Sequence, residues 1–145
     1  MTELIEIEEI KKHFPDKVYE ITAKNNRRAT ITVEPASIVT ISEFLVRELL
    51  FRFIIATAME TDKGFEILYH FSKDKAGLVL NVRVILDKEN PVIDSLTGLF
   101  EGANWIEREM YEIIGINFKN HPNLEKLISD GNWAEGTYPY RKNEQ

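Results

Sequence analysis

The stretch "FIIATAMETDKGFEILYHFSKDKAGLVLNVRVIL", Phe53 to Leu86, decides the fold. It holds three runs of strand character, "FIIATAME", "GFEILYHFS" and "LVLNVRVIL", parted by the turn-rich "TDKG" and "KDKAG". Within the second run Phe65, Ile67, Tyr69 and Phe71 recur at period two. Within the third, Leu78, Leu80, Val82, Val84 and Leu86 do the same. Side chains on a strand alternate between faces, so each run offers one apolar face that must be covered. Short turns join neighbouring antiparallel strands, so the three runs predict an antiparallel meander with helices packed on part of it.

Outward from the meander, the N-terminal flank predicts the covering helices. Ile7, Ile10 and Phe14 recur at helical spacing between Leu4 and Phe14, and Pro15 stops the run. Tyr19, Ile21 and Ala23, then Ala29, Ile31 and Val33, alternate with polar neighbours. Between them Asn25-Asn26 can supply the positive backbone angles of a hairpin turn. Thr40 with Glu43 fits a capping box for a helix from about 41 to 53. That helix carries the stripe Phe44, Leu45, Leu49 and Phe53 and an i,i+4 pair between Glu48 and Arg52. The predicted class is α+β: a mainly antiparallel sheet with helices packed on it, then a helical and extended C-terminal docking segment. One domain is expected over 1–145, with an α+β core to about residue 90 and a motif helix and partner-docking tail over about 91–145.

Composition narrows the chemistry. Acidic residues outnumber basic ones 24 to 18, for a formal charge of −6, and such a field repels nucleic acid and anionic membrane surfaces. The absence of cysteine removes disulfides, thiolate nucleophiles and thiolate-held iron–sulfur clusters from this chain. Any electron-transfer role therefore has to use a partner's metal. No apolar run reaches the roughly 18 residues that a membrane span needs, and "MTELIEIEEIKK" lacks the basic start and apolar core of a signal peptide. The expected location is cytosolic.

Beyond residue 90 the character changes: both tryptophans and three of the five tyrosines lie there. "ANWIEREMYEIIGINFKNHPNLEKLI", Ala103 to Ile128, predicts a helix capped by Asn104 and closed at Gly115 in a left-handed conformation. Ile106, Met110, Ile113 and Ile114 are read as its core side, with Glu107, Arg108, Tyr111 and Glu112 on or near the other. His121 and Pro122 are read as the cap and first position of a further helix carrying Leu124, Leu127 and Ile128. Glu107, Glu109 and Glu112 could be offered as a general acid and base, but capping and an Arg108 to Glu112 pair account for them. His13, His70 and His121 are scattered, without a nucleophile motif or metal-ligand spacing. "GNWAEG" has the two glycines of a phosphate loop, yet Thr137-Tyr138 follows where Lys-Ser/Thr is required. Trp105 and Trp133 read equally as core residues or interface anchors.

The ordered series "NWIEREMYEIIGINFKNHPNLEKLI", a later Trp133 and "YPYRK" resembles the thirty-kilodalton subunit of respiratory complex I and its relatives in membrane-bound energy-converting nickel–iron hydrogenases. The likeness extends upstream over roughly residues 30 to 142. It implies a cofactor-free accessory subunit, without a catalytic centre of its own, that packs against the large catalytic-type subunit of the hydrophilic arm. It also implies a hetero-oligomer with iron–sulfur subunits at the cytoplasmic face, touching the membrane only through the complex. Iron–sulfur clusters and a nickel–iron centre would belong to the partners. Matched residue by residue, the motif falls on Trp105, Glu107, Arg108, Glu109, Tyr111, Gly115, His121, Pro122, Trp133, Pro139, Arg141 and Lys142. Tyr138 and Tyr140 are read as further area buried by a docking tail. The complex I pattern Asp-Trp-x-Gly-His-Pro-x-Arg-Lys-Asp is altered here. The Trp-to-Pro spacing is longer, the second histidine is missing and Asn143 replaces the acid, which is closer to the hydrogenase-type relatives. Against the subunit reading stands a free-standing α+β binding module or small enzyme built on the carboxylates of Glu107 to Glu112.

Overall fold

The computed structural model describes residues 5–25 and 27–122. In chain order its elements are α1 (Ile5–His13), β1 (Val18–Ala23), β2 (Arg28–Val33), α2 (Ile38–Arg47), β3 (Arg52–Thr61), β4 (Gly64–Lys73), β5 (Leu78–Leu86), β6 (Val92–Asp94), α3 (Ala103–Ile114) and β7 (Asn117–Lys119). Five strands form one sheet in the order β1-β2-β5-β4-β3, and β6 and β7 form a separate pair. The predicted meander is present as the neighbours β5, β4 and β3. The class is mixed α and β with a mainly antiparallel sheet.

The described residues gather into two compact units, 5–54 with 68–84, and 55–67 with 85–122. In the first, Ile7 and Ile10 of α1 and Ile38, Ile41 and Leu45 of α2 are buried with Ala29, Ile31 and Val33 of β2. Tyr69 and Phe71 of β4 and Leu78, Leu80, Val82 and Val84 of β5 complete this core. The ends of the two helices meet through an aromatic cluster, with Phe14 edge-on to Phe44 at 5.3 Å and His13 4.5 Å from the same ring. Lys73 reaches Glu6 at 3.1 Å and ties α1 to β4.

Local expectations fail here in three places, and one strand pairing goes beyond them. Asn25 forms its turn without a positive backbone angle: its side-chain oxygen accepts the Arg27 and Arg28 N–H groups at 2.7 and 3.0 Å. Asn26 lies outside the described residues. The expected face of Tyr19, Ile21 and Ala23 is not buried, because β1 is an edge strand whose register shifts between Val18 and Glu20 and leaves Tyr19 exposed. Thr40 is inside α2 rather than its cap. A 3-10 turn at Pro35–Ser37 starts the helix earlier, and it ends at Arg47. Leu50, at φ 61°, then turns the chain into β3, so Arg52 pairs with Asp74 at 3.4 Å instead of Glu48. Finally, β2 and β5 run parallel, joined by a long connection through α2, β3 and β4 that a local pattern does not specify.

In the second unit Phe65 and Ile67 of β4 and Leu86 of β5 are buried. Thr61 and Gly64 close the two-residue turn between β3 and β4, with Thr61 Oγ1 donating to the Gly64 carbonyl at 3.1 Å. Gly64 sits at φ 150°, and a Cβ there would lie 2.1 Å from the Leu86 carbonyl oxygen. That close backbone approach requires glycine.

Candidate functional site

The motif segment of the second unit folds as β6, α3 and β7, with α3 as the crossover between two parallel strands. Ile93 pairs with Phe118, and both are buried. Neither strand follows from the sequence pattern, for three-residue strands are too short to show a period. The available signal was the apolar alternation of Ile116 and Phe118, both buried. Gly115 closes α3 as expected, in the left-handed region at φ 89°, its N–H donating to the carbonyls of Met110 and Tyr111. Asn104 is not the cap. Gly102 occupies that position, and the preceding loop winds through successive turns from Leu96 onward.

The faces of α3 differ from their expected assignment. Ala103, Glu107, Met110 and Ile114 form the buried stripe, at spacings of four, three and four, and Glu112 is also buried, on the opposite side of the helix. Ile106 and Ile113, expected in the core, are only half-buried. Residue type suggested an outward Glu107, whereas the spacing, taken alone, would have put it inward.

Glu107 is 1% exposed, and both its oxygens are engaged. Oε2 accepts the Leu96 N–H at 2.8 Å, and Oε1 accepts the Ser95 hydroxyl at 2.6 Å. Ser95 in turn accepts the Thr97 N–H at 3.1 Å and lies 2.7 Å from the Thr97 hydroxyl, which therefore donates to it. This chain of donors fixes the loop between β6 and α3. Burial pushes the Glu107 carboxyl above the usual carboxylate range, opposed by the bonds from Leu96 and Ser95. His121 Nε2 donates to the Asn104 carbonyl at 3.1 Å and stands 3.9 Å from Glu107 Oε1. The histidine thereby pins the exit of β7 to the start of α3.

The three glutamates do not converge. Glu107 and Glu112 are buried while Glu109 is exposed, and no group of three metal-ligating side chains occurs among the described residues. Both oxygens of Glu107 are used in holding the loop between β6 and α3. What α3 offers outward is Trp105, 59% exposed, with Glu109 and the half-buried Arg108 and Tyr111. A groove of about 250 Å³ runs between Ile55–Ala58 of β3 and Ile106, Glu109, Met110, Ile113 and Ile114 of α3. Pro122 is exposed. Trp133, Tyr138, Pro139, Tyr140, Arg141 and Lys142, with the helix expected after Pro122, lie outside the described residues.

Comparison with known proteins agrees with this chain's motif series. A subunit of the NADH-quinone oxidoreductase of Citrifermentans bemidjiense is 31% identical over 141 residues, covering 92% of this chain and 83% of that one. A subunit of the F(420)H(2) dehydrogenase of Methanosarcina mazei is 30% identical over 140 residues, covering 94% and 87%. Some relatives are longer, and the chain spans 56% to 58% of their length. Among solved structures, a chain of an archaeal membrane-bound sulfane sulfur reductase has the same fold at a TM-score of 0.83, with 20% identity over 96% of this chain and 83% of that one. Among the described residues no helix is long and apolar enough to cross a membrane. Residues 31–145 match the family model throughout, and the chain belongs to the family of the 30-kDa subunit of respiratory-chain NADH dehydrogenase.

Proposed function

We propose that this chain is a cofactor-free, non-catalytic accessory subunit of a membrane-associated, complex-I-like redox complex, lying at its cytoplasmic face. It packs against the large catalytic-type subunit and keeps that subunit and the iron–sulfur subunits in place for electron transfer. The observation that carries this reading is the use of the family motif. Its central carboxylate, Glu107, is spent on holding a loop, while Trp105 is turned to solvent as an anchor would be. The lack of cysteine supports the placing of iron–sulfur clusters in partner chains. Trp133, Tyr138, Pro139, Tyr140, Arg141 and Lys142 form the docking tail, in which Arg141 meets a partner carboxylate.

Within the family, the hydrogenase-type assembly is favoured by the longer Trp-to-Pro spacing, the missing second histidine and Asn143. The second reading, an NADH-quinone oxidoreductase, is supported by the 31% identity to one of that enzyme's subunits. Purification from gently solubilised source membranes through a tag at Met1, followed by mass spectrometry and metal analysis, tests both. A large subunit with iron is expected, and nickel in the same fraction selects the hydrogenase type. Trp133→Ala or removal of residues 138 to 145 is expected to lose the complex. Recovery of the tagged chain alone and metal-free would overturn the subunit reading.

A further inference from the structure

We draw no further inference here: the strongest candidate, the groove of about 250 Å³ between Ile55–Ala58 of β3 and Ile106, Glu109 and Ile113 of α3, carries none because nothing in the structure shows what covers it.

Discussion

At Glu107 a buried carboxylate is held by two bonds, from the Leu96 N–H and the Ser95 hydroxyl. Burial raises its proton affinity in the folded chain above that in the unfolded one, where a glutamate titrates at about 4.5. The folded state therefore binds the proton more tightly. The stability this supplies is fully present below the unfolded value and is lost as pH rises through the raised folded value. Glu107→Gln removes the titration while retaining a carbonyl for the Leu96 N–H. Thermal melts of both proteins from pH 4 to pH 7 should show the glutamine variant gaining on wild type as pH rises. A wild type that gains on the variant would contradict the assignment of burial as the dominant cause. The inward Glu107 is a case where residue type and spacing disagreed. Spacing prevailed because the loop starting at Ser95 supplied the partners that make a buried carboxylate tolerable.

At the scale of the element, the sequence was most legible where a period ran for several residues. β4 and β5 bury the faces read from their alternation, and α1 buries Ile7 and Ile10 as its spacing required. It was least legible at ends and turns, where one backbone angle decides. Leu50, a residue without special liking for φ 61°, ends the approach to β3, and nothing in its type announces this. Two glycines separate conformation from space. Gly77 is left-handed at φ 63° with nothing within 4 Å of an added Cβ, so Gly77→Ala should cost about 1 kcal/mol. Gly64 faces the Leu86 carbonyl at 2.1 Å, so Gly64→Ala should cost about 3 kcal/mol or more, because backbone cannot yield as a side chain can. Urea unfolding of the two variants checks the order, and equal costs would show that the β4–β5 approach relaxes freely.

For the whole molecule, the proposed function rests on what the chain leaves outside. Trp105, on the outer side of α3, should be dispensable to the isolated protein and needed by the assembly. Trp105→Ala is expected to change unfolding free energy by no more than about 0.5 kcal/mol, yet to reduce partner recovery about tenfold. Chemical denaturation and tagged purification of the same variant measure the two effects, and a large loss of intrinsic stability would reassign the residue to the core. The sequence by itself determined the class of fold, the meander and its covered faces, and the motif series that marks the family. Those properties follow from local period and from residue types at fixed spacing. It did not determine the parallel join of β2 to β5, the short β6–β7 pair, the inward turn of Glu107 or the groove along β3. Each of these depends on which distant segment comes to lie alongside, and strand pairing or the burial of a charge is decided by the partners that folding brings.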